Sequence, residues 1–419
     1  ESRSMKVRKL MLNEFRGIAR MELEFHERVN VLVGKNGAGK SAILDCLAIL
    51  LSRLIGRIRS TTGTGRFFGD YDITNGQKET ENEISVEIDG QSASWAVTKT
   101  RRGLKKQTIT NLKQLKEIVQ EIHTAYESDE DLDFPLAVYY PVNRAVLDIP
   151  LRIRRRHEFD QLSAYDQALT GASDNFRIFF EWYRNREDLE NETRIRKPRH
   201  RDRELRAVRT AIENLLPGCS GLHVQRGPLR MVVNKGETEL VVDQLSDGEK
   251  CQLALAGDLA RRLAIANPSL TNARHGQAVV LIDEVDLHLH PSWQRRIVPD
   301  LAETFPNCQF IVTTHSPQIV SEVREGNVVL LKRCGDNVSV CRPETSYGQA
   351  TNRILEDLMG TAERPEAVKD AFAELFRAIE EDRLKEAETA AKKLGDLVGP
   401  DPQLTRARTM IRRKEILGK

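Results

Sequence analysis

The chain has no run of about 18 apolar residues, so no stretch of it reads as a membrane-spanning helix. No secretory leader pattern follows Met5, and Glu1 to Ser4 ahead of it are set aside from the fold reading. Cys46, Cys219, Cys251, Cys308, Cys334 and Cys341 include no CxxC pair. Disulfide and zinc frameworks need closer, patterned spacing, so these read as buried or incidental thiols. Together these absences predict a cytoplasmic protein with no membrane partner. Net charge is nearly absent too, at +2, and says little about partners. No nuclease motif is found, so any cutting of nucleic acid falls to a partner.

What is present is ordinary globular composition: 419 residues, 40% hydrophobic and 30% charged. The charge is unevenly spread. Arg152, Arg154, Arg155 and Arg156 form one basic cluster. Arg194, Arg196, Lys197, Arg199, Arg201, Arg203, Arg206 and Arg209 form another. Such segments fit phosphate backbones. A solvated or intersubunit face, with Glu187, Asp188, Glu190 and Glu192 as acidic neighbours, fits them as well.

Apolar periodicity predicts strands at 6–12, 20–25 and 29–33, then a helix over 41–54. Residues 56–80, polar and glycine-rich, read as a mobile loop. A hairpin is expected at 84–88 and 93–99, a helix at 111–126, and a buried strand at 136–141. From 163 to 216 the pattern is helical, with Leu205, Val208, Ile212 and Leu215 on one stripe. Strands return over 222–242, then a helix at 248–266. Beyond it come strands at 278–283 and 310–315 around a helix at 291–305. Further strands follow at 327–331 and 337–341. The tail predicts a helical hairpin and a third helix over 401–417. It has the look of one helical repeat, but no second copy exists.

GKNGAGKS, Gly34 to Ser41, lies after a strand and before a helix and fits G-x-x-x-x-G-K-[ST]. Glycines let successive N–H groups point at phosphates, and the helix adds positive dipole. Gly34, Lys35, Asn36, Gly37, Ala38 and Gly39 supply this cradle. Lys40 reaches the β- and γ-phosphates of ATP, and the Ser41 hydroxyl ligates Mg2+. AVVLIDEVDLHLHP at 278–291 ends a buried strand in two acids. Asp283 suits the Mg2+ shell. Glu284 suits orienting or deprotonating the attacking water. In FIVTTHSP at 310–317, His315 follows a strand end, where an imidazole can touch a γ-phosphate. LSDGEK at 245–250 opens a helix, so Ser246 and the Gly248 backbone form a second anion site. One chain does not need two sites for one γ-phosphate, so the second fits a neighbouring copy. His288 and His290 fall in the loop after the acids, where subunit contact outweighs metal ligation.

These motifs, in this order, resemble the ABC ATPase superfamily. LNEFRGI at 12–18 followed by VNVLVGKNGAGKS looks like the RecF, SMC and Rad50 branch rather than a transporter. YYPVNR, LHLHP and the tail RARTMIRRKEILGK are similar to the PtuA-type ATPases of Septu and retron anti-phage systems. The resemblance implies an α/β fold, an ABC ATPase head with a mixed sheet flanked by helices, a helical insertion and a C-terminal helical hairpin. It implies a first nucleotide lobe at 5–150, a basic insertion at 151–217, a signature and acid-pair lobe at 218–345, and a tail at 346–419. It implies a homodimer or higher homo-oligomer around ATP, with Lys40 of one copy facing Ser246 of the other. Asp286 would lie in the loop between the two sites, and Arg16 near the nucleotide. The implied partners are an HNH nuclease of the PtuB type, and a retron reverse transcriptase with its DNA. A RecF-like ATPase of DNA repair or chromosome maintenance, gating DNA directly, is the alternative. The sequence departs from the family at Asp247, whose carboxylate would repel an incoming phosphate. No clear glutamine-loop match exists, with Asn143 the candidate substitute. The insertion is too short for the long coiled coil of SMC or Rad50.

Overall fold

The computed structural model describes residues 3–105, 108–128, 132–142, 159–170, 175–324, 326–335, 337–360 and 364–417. The chain divides into two compact units, Glu1–Ala350 and Thr351–Lys419.

The first unit opens with β1 (Met5–Phe15) and β2 (Ile18–Glu24), antiparallel about a two-residue turn. Arg16 and Gly17 both have positive φ there, which matches the twist of the flanking strands. β3 (Val29–Gly34) is buried at every position, as an apolar run in a parallel sheet must be. α1 (Lys40–Arg59) runs past the expected end at 54, because Ile55 and Ile58 extend its buried face. The loop after it is not the loose segment expected. A Cβ on Gly63 would stand 1.8 Å from the Gly56 carbonyl, and one on Gly65 2.3 Å from the Ser52 carbonyl. Glycine there lets backbone touch backbone. The Arg66 N–H also donates to Ser52 Oγ at 2.7 Å, and Arg53 to the Thr64 carbonyl at 2.5 Å. The segment is strapped onto α1.

β4 (Glu79–Ile88) and β5 (Gln91–Thr100) form the expected hairpin and complete a four-stranded sheet in the order β2-β1-β4-β5. α2 (Lys113–Ser128) buries Leu115, Ile118, Val119 and Ile122, one face of a helix. β6 (Leu136–Tyr140) is wholly buried. α3 (Asn175–Arg196) and α4 (Arg203–Leu215) follow. α4 buries Leu205, Val208, Ile212 and Leu215, and Asp202 caps it by accepting from the Glu204 and Leu205 N–H groups. β7 (Cys219–Arg226), β8 (Leu229–Lys235) and β9 (Thr238–Val241) form a small antiparallel sheet.

The remainder alternates helix and strand: α5 (Asp247–Ala266), β10 (Ala278–Ile282), α6 (Pro291–Thr304), β11 (Gln309–Thr314) and the short α7 (Pro317–Ser321). β12 (Val328–Cys334) and β13 (Asn337–Cys341) close the unit. The main sheet runs β13-β12-β3-β11-β10-β6. All its pairings are parallel except β12 with β13. It is therefore the mixed sheet expected, and one edge collects the carboxyl ends of β3, β11, β10 and β6. All six cysteines are free, four of them buried. Among the described residues no helix is long and apolar enough to cross a membrane.

The second unit starts with α8 (Thr351–Arg353), which runs into a π-helical turn. α9 (Glu366–Glu380), α10 (Leu384–Val398) and α11 (Pro402–Leu417) follow. They pack around their own core, which includes Phe372, Leu375, Ile379, Ala391, Leu394, Leu404 and Ile411. This is the predicted hairpin with its third helix.

Candidate functional site

β3 hands over to a loop built for anions. Gly37 and Gly39 have φ of 79° and 94°, a region that glycine enters without penalty. α1 then begins from Gly39 with no side chain capping it and no acid in its first turn. Its first N–H groups and positive dipole end are thus left for a ligand. Lys35, Asn36, Gly37 and Ser41 are exposed, while Ala38 and Lys40 are buried. Lys40 Nζ donates to the Gly34 carbonyl at 2.7 Å and the Lys35 carbonyl at 3.3 Å. Burial lowers its pKa, against the field of Asp283, Glu284 and Asp286, which works the other way. Lys40 and the three acids lie at one edge of the sheet.

Sheet register explains why. Ile282 of β10 pairs with Val312 of β11, and Thr314 of β11 pairs with Val33 of β3. Asp283, His315 and Gly34 therefore leave adjacent strands at one edge. Two threonines orient the acids, and the sequence reading missed both. Thr313 Oγ1 donates to Asp283 Oδ1 at 2.5 Å and accepts the Glu284 N–H at 2.7 Å. Thr314 Oγ1 donates to Asp286 Oδ1 at 2.6 Å. Thr-Thr at the end of an apolar strand, next to a strand ending in acids, was the available signal. Glu284 itself has a φ of 46°, and strain of that kind gathers at working sites. His315 is half-buried just past β11. The Ser41 hydroxyl and the Asp283 carboxylate are hard oxygen donors, which suits Mg2+ with water completing the shell.

Arg16 pairs with Asp45 of α1 at 2.5 Å and with Asp72 at 2.7 Å. Burial opposes its charge, and the two carboxylates outweigh it and raise its pKa. Arg333, another residue the sequence reading missed, reaches the phosphate loop from β12. It donates to the carbonyls of Gly37 at 3.1 Å and Gly17 at 3.4 Å. Nothing in its sequence neighbourhood signalled this, since both acceptors are backbone atoms roughly three hundred residues away.

The signature segment differs from expectation. Ser246 caps α5 in a reciprocal box: its Oγ donates to Glu249 Oε2 at 2.7 Å, as its N–H does at 2.9 Å. Lys235 holds the same carboxylate group at 2.6 Å. In a single copy this helix end is capped by its own side chains. S-x-x-E at 246–249 announces such a box. Gly248 has a packing reason: a Cβ there would sit 2.5 Å from the His288 carbonyl. Asp247 is exposed, with Lys250 3.7 Å away as a nearby cation. Among the described residues no hydrogen bond or ion pair joins Ser246, Asp247 or Gly248 to the phosphate loop.

His290 caps α6 through Ser292, and among the described residues no cluster could hold a metal through His, Cys, Asp or Glu. Within 194–209, Arg203 is spent on the carbonyls of Ala264, Asn267 and Leu270, and Arg209 on Glu190 and Tyr183. Arg196, Lys197, Arg199, Arg201 and Arg206 are exposed around the α3–α4 turn. The cluster at 152–156 and Asn143 lie outside the described residues.

Comparison with known proteins gives the family. A family model described as an AAA domain matches residues 9–218, and one described as an AAA ATPase domain matches 227–320. A retron Ec83 probable ATPase of Escherichia coli is 31% identical, covering 96% of this chain and 86% of that protein. A retron Vc95 probable ATPase of Vibrio cholerae is 28% identical, covering 90% and 83%. The Septu protein PtuA of Bacillus thuringiensis is 23% identical, covering 95% of each. The chain belongs to the ABC-type ATPases of the RecF, SMC and Rad50 branch, within the group of retron and Septu ATPases.

Proposed function

We propose that the protein binds and hydrolyses ATP between two copies of itself, and that this cycle controls a partner nuclease in anti-phage defence. The observation that carries the reading is the uncapped start of α1, with buried Lys40 beside it in the field of three carboxylates. The backbone of 34–40 cradles the phosphates, and Lys40 leaves its carbonyl partners for the β- and γ-phosphates. Ser41 and Asp283 would hold Mg2+, which would supply positive charge against the phosphates. Glu284 orients the attacking water and takes its proton. His315 contacts the γ-phosphate and registers its loss. Arg16 stays near the nucleotide through Asp45. Ser246 and the Gly248 backbone of the second copy meet the γ-phosphate from the other side, and Asp286 links the two sites. ATP bridges the copies better than ADP does, and that difference drives the switch. The partner class is an HNH nuclease, with a reverse transcriptase and its DNA in retron settings. Relatives of those systems support it. No observation favours the DNA-repair alternative over this reading.

Mixing tests the shared site. Lys40→Ala and Ser246→Ala each release little phosphate alone. Mixed, they regain activity, because the heterodimer holds one site with both residues intact. No recovery on mixing, with both variants folded, rejects a site shared between copies. Plating phage on cells carrying Lys40→Ala or Glu284→Gln tests the role in defence, and full protection with both rejects it.

A further inference from the structure

The second unit carries none of the ATPase motifs, and its helices differ in charge. α9 exposes Glu366, Asp370, Glu374 and Glu380, beside Lys369 and Arg377. α11 exposes Arg406, Arg408, Arg412 and Arg413, with Glu415 its one acid. Among the described residues no ion pair or hydrogen bond engages any of these four guanidinium groups.

The helical period sorts α11 into faces. Leu404, Ala407 and Ile411 enter the core. Opposite them, Thr405, Thr409 and Ile416 form a strip in solvent. Arg406 and Arg413 flank the strip on one side, Arg408 and Arg412 on the other. Thr405 and Thr409 donate their hydroxyls to the carbonyls of Asp401 and Thr405, at 3.0 and 2.9 Å, so those protons are spent. The helix is pinned near both ends. Asp401 accepts from the Gln403 and Leu404 N–H groups at 2.8 and 3.2 Å, and pairs with Arg364 at 2.8 Å. Lys414 donates to the Ile379 carbonyl at 2.6 Å and to Asp382 at 2.5 Å. Arg408 lies across α10 at Gly395, where a Cβ would stand 2.6 Å from its Nη2. Glycine is a poor helix residue, and here it makes room for that arginine.

We propose that α11 docks in the major groove of a DNA duplex and grips the phosphates of both strands. The inference uses no residue of the ATP site and stands apart from that reading. Two arginine rows stand on either side of a helix about 10–12 Å across, and the major groove is about 12 Å wide. Each row meets one wall, while the threonine strip faces the floor. The planar fork of arginine suits phosphate oxygens. The threonine hydroxyls have no proton left for base edges, so the grip is on the backbone and tolerates any sequence. A-form RNA closes its major groove to side chains, so duplex RNA fits worse. The acids of α9 steer phosphate away from that helix and towards α11.

Fluorescence anisotropy on the full chain tests this, with labelled DNA duplexes of two unrelated sequences titrated at several salt concentrations. Wild type is expected to bind both alike, and duplex RNA more weakly. Arg406→Gln, Arg408→Gln, Arg412→Gln and Arg413→Gln together are expected to make the plot of log affinity against log salt shallower by about 0.9 per arginine removed. Either row changed alone should give half that fall. Arg406→Lys, Arg408→Lys, Arg412→Lys and Arg413→Lys together keep the charge and should keep the slope. Circular dichroism should show wild-type helix content throughout, the four side chains being exposed. A fourfold glutamine variant with the wild-type slope overturns the proposal, because any duplex binding then lies elsewhere, for example at the α3–α4 turn. Duplex RNA bound as tightly as DNA overturns the groove fit. Polyglutamate that displaces the duplex at equal charge assigns the face to an acidic protein and overturns it too. So does a glutamine variant that changes only the oligomer seen by light scattering, which assigns the face to a second copy. Wild type that binds no duplex overturns it outright.

Discussion

Two helices of equal length, α1 and α5, begin in opposite ways. α1 starts from a left-handed glycine with no side chain on its free N–H groups. α5 starts from Ser246, boxed with Glu249 and backed by Lys235. The first end is ready for an anion in a single copy. The second is occupied by its own side chains, and Glu249 must yield before a phosphate can be met there. In the two-copy site proposed above, α1 would supply a preformed half and α5 a latent half. The middles differ as well. α1 buries Leu44, Leu47, Leu51 and Leu54, whereas α5 buries Asp258, Arg261 and Arg262. Asp258 pairs with Arg261 and Arg262 at 2.7 Å each and accepts from Tyr140, the last residue of β6, at 2.9 Å.

The severest test of this contrast is Glu284→Gln. Phosphate release should fall about 10²–10⁴-fold, while light scattering shows the ATP-bound dimer persisting. A variant that still turns over at the wild-type rate would remove Glu284 from the chemistry. Next comes Asp258→Ala, which takes the shared carboxylate away from the buried Arg261 and Arg262 and should cost about 3–5 kcal/mol in urea unfolding. The matching change in α1, Leu47→Ala, should cost about 2–5 kcal/mol by opening a cavity. Only the Asp258 effect should depend on pH. Burial raises its pKa, but the Arg262 and Arg261 charges outweigh that and hold it below 3.8. Its stabilisation is complete above 3.8 and disappears as pH falls through the lowered value. Acid titration of Asp258→Asn should therefore show a flatter limb than wild type.

Smaller effects sharpen the contrast at the helix ends. Ser246→Ala should lower stability by about 1 kcal/mol, read from thermal unfolding. Lys235→Ala should cost well under about 1 kcal/mol, because the lysine is half-exposed and water screens the pair. The smallest signal is a proton. Lys40 sits below 10.5, and phosphate oxygens would restore its charge. Between the lowered value and 10.5, nucleotide binding should then take up protons. Calorimetry in buffers of different ionisation heat detects this, and no buffer dependence would place the ligand away from Lys40.

Much of the strand–helix order was legible, because buried strands such as 29–33 and 278–283 are apolar without interruption. So was the phosphate loop, whose glycines need backbone angles that few other residues tolerate. What escaped reading depended on partners distant in sequence. Thr313 matters only because β11 lies beside β10, and Arg333 only because β12 lies beside β3. Gly63 and Gly65 looked like looseness, yet they permit backbone contact with α1. The Ser246 box lay in plain view at 246–249, but the family likeness drew attention to phosphate instead of to Glu249.

The missing side chain at Gly248 has a mechanical outcome. With only hydrogen in the gap, the first turn of α5 rests on the carbonyl of His288, in the turn that also carries Glu284. On the two-copy reading proposed above, the two surfaces would move as cogs of one train: a shift in the turn of Glu284 would displace the face offered to a second copy, with no linker to absorb the stroke. A methyl group at 248 would jam that train at rest.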